Sequence, residues 1–202
     1  MVSSFDGIVI GVTGAMGSGK STVSGFLKEW GSQLVDADLV AHEIIEKPQI
    51  SSEIERQFGS GLVSVTGKIR RSELGARVFN NHSSLKIYYD IIKDPLTILL
   101  NKRLEAAKSF QKIVVFDAPL LFEWGLVEWV DVVVSVCAER ELCIRRVMDR
   151  SSLSRCEIED RMSLQLDPVV KRSHADYFIE NNDSIEDLRK RTKVVWNSLK
   201  TT

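Results

Sequence analysis

Residues 8–22 read IVIGVTGAMGSGKST. Ile8-Val9-Ile10-Gly11-Val12 is a short apolar run rich in β-branched residues, which predicts a buried strand. Directly after it, Gly14-x4-Gly19-Lys20-Ser21 fits the phosphate-binding loop pattern in full. Each residue type there has a reason. Glycines let backbone N–H groups turn inward around an anion without a Cβ clash. A helix starting at Ser21 points its positive end at the same anion. Lys20 places a point charge on β- and γ-phosphates, and the Ser21 hydroxyl is a ligand for Mg²⁺. The competing reading is a glycine-rich turn with an incidental lysine. The context argues against it, because Val23, Phe26, Leu27 and Trp30 give the next segment a helical apolar face that stops at Gly31. Gln33-Leu34-Val35 then predicts a second strand. Strand, loop, helix, strand is a βαβ unit, and it calls for a parallel sheet in an α/β fold.

The remainder of the chain is compatible with that unit. A length of 202 residues allows one α/β domain, or a core carrying an insertion. With 27 basic and 28 acidic side chains the net charge is −1, so no global positive field invites nucleic acid. Cys137, Cys143 and Cys156 have neither CxxC nor zinc spacing and are expected as reduced thiols. No apolar run reaches the roughly 20 residues of a membrane span, and the N-terminus has no basic leader pattern. A cytoplasmic protein with no membrane partner is expected.

Leu39 to Phe110 reads as mostly helical and charged, long for one simple crossover, and part of it is expected to be an insertion over the sheet's top edge. Within it Asp94-Pro95 predicts a helix start, an acidic cap followed by a first-turn proline, with Leu96, Leu99, Leu100 and Leu104 on the apolar face. Ile113–Phe116, Val132–Val136 and Tyr177–Ile179 complete five strands; continuous apolar runs suit parallel strands buried on both faces. Glu139–Arg150 predicts a helix, Ser151–Arg155 a polar break, and Ser184 with Asp187 the capped start of the last helix.

Carboxylates fall where such a sheet binds ligands, beyond the strands' C-terminal ends. Asp36 and Asp38 come at the end of strand two. Asp38 is the candidate general base for an acceptor hydroxyl; capping the next helix is its alternative role, and one residue can do both. Asp36 either organises a metal's water shell or caps the strand. Asp117, ending strand three, has the placement of a Walker-B acid near Mg²⁺, against ordinary turn chemistry. Arg146 and Arg150, four apart on one helix face, are candidates for neutralising the transferred phosphoryl group, and the polar break after them suits a lid. Arg155, Arg161, Lys171 and Arg172 extend that basic run, whose plain reading is a solvated face. His42, His82 and His174 form no recognisable catalytic or metal set. Trp30, Trp124, Trp129 and Trp196 are expected to pack, with contact to a substrate as the alternative for Trp124 and Trp129, which flank a short acidic loop.

These residues together resemble the dephospho-CoA kinase family over about Gly7 to Trp196. The segments that carry the resemblance are IGVTGAMGSGKSTV, VDADLVAHEII, GKIRRSELGARVF, DAPLLFEWGL, RRVMDR and ADYFIENN. Many kinases share the loop; DADLVAHE and PLLFE together are far more specific. The resemblance implies a three-layer phosphate-loop kinase core (about 7–38, 112–150 and 175–202), a helical CoA-binding insertion (about 39–110) and a small lid (about 150–172). It implies ATP-dependent phosphorylation of the ribose 3′-hydroxyl of dephospho-CoA, with ATP as co-substrate, Mg²⁺, and a monomer or weak homo-oligomer. By position it assigns Gly17, Ser18, Gly19, Lys20, Ser21 and Thr22 to ATP, sets Asn182 in the loop beside the adenine, and gives Asp38 as the catalytic base with Arg146 and Arg150 in the arginine pattern before the lid; the loop and strand-end readings add Gly14 for ATP, Lys20 for catalysis, and Ser21 and Asp117 for the metal. The chain departs from the family at Asp94-Pro95, where His-Pro is usual, and at Ala15, where glycine is usual. A shikimate- or gluconate-type kinase is the alternative enzyme. It would lack the long helical insert and PLLFE. A non-catalytic nucleotide switch would be expected to show damage at Lys20, Ser21 or Asp38, and all three are intact.

Overall fold

The computed structural model describes residues 7–79 and 81–200. The reading of the first six residues as lacking a leader therefore lies outside the described residues. The chain divides into two compact units, residues 1–36 with 104–202, and residues 37–103.

The first unit is built on five parallel strands: β1 (Ile8–Gly14), β2 (Gln33–Asp36), β3 (Ile113–Asp117), β4 (Val132–Cys137) and β5 (Tyr177–Glu180). Their order is β2-β3-β1-β4-β5, so β1 lies between β3 and β4. The chain leaves β1 towards one edge and later crosses to the other, which makes the end of β1 the topological switch point of the sheet. Alternation along β1 sorts the core. Ile10 and Val12 join Val23 and Leu27 of α1 (Lys20–Glu29) and Leu188, Val195, Trp196 and Leu199 of α9 (Ile185–Lys200) in one buried cluster. Gly11 points the other way: a Cβ there would lie 3.0 Å from both Leu121 and Val130. Trp129, in a 3-10 turn over Leu126–Trp129, stacks on Phe116 at 6.2 Å between centroids. The packing roles expected of Trp129, Trp196 and Trp30 hold; Trp30 stacks on Phe26 and lies beside Trp196. Between β4 and β5 stand α6 (Arg140–Arg150), α7 (Arg155–Ser163) and α8 (Pro168–Ser173). Among the described residues all three cysteines are free thiols, and no helix is long and apolar enough to cross a membrane.

The second unit consists of α2 (Ala37–Ile45), α3 (Pro48–Phe58), α4 (Arg71–Val78) and most of α5 (His82–Lys108). Here one expectation fails. Asp94-Pro95 does not start a helix; Pro95 lies inside α5, a helix of 27 residues. Leu85, Ile92, Leu96, Leu100 and Leu104 are all buried. Their spacings of seven and four keep one stripe continuous across the proline. Burying that stripe outweighs the roughly 3 kcal/mol an interior proline costs. Thr97 lends polar support just past it, its hydroxyl donating to the carbonyls of Lys93 (2.9 Å) and Asp94 (3.0 Å).

Candidate active site

The loop between β1 and α1 sits at the switch point and is shaped by its glycines. Gly17 (φ +80°) and Gly19 (φ +95°) occupy the left-handed region, which a side chain would strain. They are also pressed by neighbours. A Cβ on Gly17 would collide with the carbonyl oxygen of Cys143 in α6, and one on Gly19 with Nδ2 of Asn181. No described non-glycine residue has positive φ, so Ala15 occupies the position of the usual glycine without backbone strain. Gly19 is the residue before α1, and the carbonyl of Gly19 accepts from Thr22 N (3.0 Å) and Val23 N (3.1 Å). The first amides of α1 have no partner within the helix by geometry, and the helix dipole adds positive potential there. Ser18 is fully buried and its Oγ has no hydrogen-bond partner. Ser21 is exposed at the head of the helix and Thr22 half-buried.

Lys20 is buried and donates from Nζ to Oδ1 of Asp117, itself 1% exposed. Burial pushes the Asp117 carboxyl above its ordinary range, Lys20 pulls it back down, and the nearby Asp36 charge adds to the rise. The register explains that proximity: Asp36 on β2 lies opposite Asp117 on β3, and Asp117 opposite Val12 on β1. Three strand ends thus bring Lys20, Asp117 and Asp36 together.

Asp38 belongs to the second unit. Helix α2 begins at Ala37, so Asp38 lies within its first turn and does not cap it. A negative charge in that turn is favoured by the helix dipole. Within the same unit Tyr88 of α5 feels it: desolvation, with a contribution from the Asp38 charge, pushes the Tyr88 hydroxyl up to about 12. The second unit also holds an open groove of about 620 Å³ lined by Gln49, Ile50, Glu53, Gln57, Ile87, Asp90 and Ile91. Two carboxylates in its wall make it a poor seat for an anion.

The basic residues divide by partner. Arg146, half-buried on α6, donates to the Asn181 carbonyl (3.0 Å) and reaches its Oδ1 (3.5 Å). Asn181 in turn donates through Nδ2 to the Ser18 carbonyl (2.7 Å). A chain of contacts therefore runs from α6 through the loop after β5 into the phosphate loop. Arg150 is exposed at the end of α6. Asn182 turns elsewhere: its Oδ1 accepts from Glu139 N (2.8 Å) and its Nδ2 donates to Glu180 (3.1 Å). The residue of the pair that grips the phosphate loop is Asn181, which the sequence does not single out. Its signal is a buried amide beside Gly19, and that is visible only in three dimensions.

The segment after α6 is ordered around Ser154, whose hydroxyl and Glu157 form a complete capping box at the start of α7. Ile158 of α7 packs on Ile144 and Val147 of α6, with Met16 of the phosphate loop against the same cluster. Gln165 accepts from Met16 N at 3.0 Å. One further contact has no signature in the sequence: Glu123, the last residue of PLLFE, and Lys171 form an ion pair at 2.8 Å, with Lys171 completely buried.

A metal ion can be tested against this donor set. Among the described residues no group of three or more His, Cys, Asp or Glu could hold one. Mg²⁺ does not need such a cage; it keeps waters and binds through one or two protein oxygens plus substrate phosphates. Asp117 and the Ser21 hydroxyl supply that smaller set, so the residues fit.

Comparison with known proteins decides the family. The family model described as dephospho-CoA kinase matches residues 8–187. The chain belongs to the dephospho-CoA kinase family. It is 37% identical over 186 residues to the dephospho-CoA kinase of Fusobacterium nucleatum, covering 92% of this chain and 95% of that one. Among solved structures it resembles TT1252 from Thermus thermophilus, at TM-score 0.77 and 35% identity over 96% of this chain and 98% of the other. The dephospho-CoA kinase from Campylobacter jejuni matches with TM-score 0.64 and 26% identity over 95% and 96%. The five-stranded parallel sheet and the phosphate loop at its switch point are thus those of a family of phosphate-loop kinases.

Proposed function

We propose that this protein transfers the γ-phosphoryl group of ATP to the ribose 3′-hydroxyl of dephospho-CoA, giving coenzyme A and ADP in the cytoplasm. The observation that carries the reading is the phosphate loop itself, with Lys20 and Asp117 buried side by side at its base, in a chain of this family. The loop amides of Gly17, Gly19, Lys20 and Ser21 surround the phosphates, those of Met16, Ser18 and Thr22 being bonded to Gln165, Ala15 and Gly19, and Lys20 leaves Asp117 to meet the β- and γ-oxygens. Asp117 and Ser21 would hold Mg²⁺, which would supply neutralisation of phosphate charge. Asp38 orients the acceptor hydroxyl and accepts its proton as the new P–O bond forms. Arg146 and Arg150 meet negative charge on the transferred group. A guanidinium has five N–H donors, so the two contacts of Arg146 with Asn181 do not exhaust it. Asn182 borders the adenine, and residues 150–172 act as the lid that keeps water out. The helical unit supplies the acceptor site.

Coupled ADP release with dephospho-CoA, shikimate and gluconate as acceptors tests the reading. Turnover on dephospho-CoA is expected; turnover only on shikimate or gluconate overturns it. Asp38→Asn is expected to lose kcat by roughly 10²–10⁴-fold while ATP still binds. Near-normal turnover removes Asp38 from the role of base.

A further inference from the structure

Lys171 has no part in the chemistry above, yet it is 0% exposed and carries an ammonium. Burial pulls that ammonium below its ordinary range, Glu123 pushes it back, and the Lys20 charge pulls it further down. Its Nζ donates to the carbonyl of Pro119 (2.7 Å) and to Oε1 of Glu123 (2.8 Å). The same Glu123 oxygen accepts from Leu166 N (2.9 Å), and the same Pro119 carbonyl accepts from the Thr13 hydroxyl of β1 (3.2 Å). Glu123 thus binds both Leu166, just past α7, and Lys171 on α8. Through Pro119 this knot is fastened two residues beyond Asp117. One residue before Leu166, Gln165 takes the Met16 amide of the phosphate loop. A buried ion pair is a costly way to gain stability, since apolar residues of similar volume commonly do as well. What it does supply here is direction: a carboxylate with two partners fixes where residues 165–171 lie.

We propose that Glu123 and Lys171 are positioning residues for phosphoryl transfer. They anchor the returning end of the lid so that Gln165 holds the phosphate loop through Met16 N. This rests on reading residues 150–172 as the lid of an ATP-dependent kinase. It gives PLLFE a physical role: Pro119 and Glu123 are the two acceptors that seat Lys171.

The test uses the full-length enzyme with four variants: Lys171→Met, Glu123→Gln, the double Lys171→Met/Glu123→Leu, and Gln165→Ala. Thermal midpoint, ATP affinity without acceptor, KM for ATP, kcat, and acceptor-free ATP hydrolysis are measured for each. The double variant replaces the pair by apolar residues and is expected to melt near the wild type. It should nonetheless raise KM for ATP and lower kcat together, by roughly tenfold or more, within the ~100-fold that a small misplacement costs. Hydrolysis relative to transfer should rise, because a misplaced lid admits water. Gln165→Ala should weaken ATP binding with no change in melting. If the double variant does not fold, Gln165→Ala and Glu123→Gln carry the same readouts. Variants that melt lower but keep wild-type ATP affinity, KM and hydrolysis ratio per folded molecule overturn the positioning role, as do variants unchanged in everything. A wild type that binds ATP but does not phosphorylate dephospho-CoA overturns the functional reading instead.

Discussion

Both units carry exposed ion pairs, Arg155–Glu141 and Arg189–Glu29 among those of the sheet unit, but the two units differ in what they bury. In the sheet unit the decisive charges are buried and paired: Lys20 with Asp117, and Lys171 with Glu123. Among the described residues of the helical unit the ion pairs are exposed: Arg56–Glu53, Arg70–Glu73, Arg71–Glu46 and Arg103–Glu43. Water screens the second kind, and each contributes about 0–1 kcal/mol. The first kind costs desolvation and must be held by good geometry. Buried pairs therefore mark where position matters, and the helical unit buries apolar side chains instead, Ile44, Ile54, Leu62 and Leu100 among them.

The largest effect should come from breaking a buried pair. Lys20→Met is expected to abolish turnover by orders of magnitude and, by leaving Asp117 unpaired, to cost about 3–5 kcal/mol near neutral pH. The sign of its pH dependence is set by Asp117. Burial raises its folded-state pKa and Lys20 lowers it, so removing Lys20 raises it further. A carboxyl with a raised folded pKa loses stabilisation as pH rises through that value. The melting gap between wild type and Lys20→Met should therefore widen from acid towards neutral pH, in melts recorded across that range. A gap that narrows would contradict the assignment.

Next is the stripe of the helical unit. Leu100→Ala, at a side chain 1% exposed, should cost about 2–5 kcal/mol in denaturant unfolding. Pro95→Ala is expected to stabilise, by about 1–3 kcal/mol, because it restores an i→i−4 hydrogen bond inside α5 and relieves a ring clash. A lower melting point in that variant would mean that the helix needs its proline. The smallest effect belongs to a surface pair: Arg103→Ala, which loses two hydrogen bonds to Glu43, should change stability by about 1 kcal/mol or less. A much larger loss would erase the contrast between the units.

Legibility in the sequence tracks the range of the physics. The continuous apolar strand runs, the loop's glycines and the cap at Ser184 are local, and each lies where its pattern places it; Ser184 Oγ accepts from Asp187 N at 3.2 Å. Asp94-Pro95 misleads for the same reason. Its cap signal is local chemistry, but a stripe running from Leu85 to Leu104 overrides it. Asn181 is hidden behind its neighbour because nothing along the chain says which of two adjacent amides faces Ser18.

The sequence by itself determined that a strand delivers a glycine-rich, lysine-bearing turn to a helix N-terminus, and that carboxylates lie at the ends of strands two and three. Those facts depend on residues a few positions apart, where backbone geometry leaves little choice. The tertiary structure alone decided the order β2-β3-β1-β4-β5, the meeting of Lys20 with Asp117, and the contacts Asn181–Ser18, Met16–Gln165 and Lys171–Pro119. Those pairs are separated by long stretches of chain, and only the packing of the whole sheet unit brings them within hydrogen-bond distance.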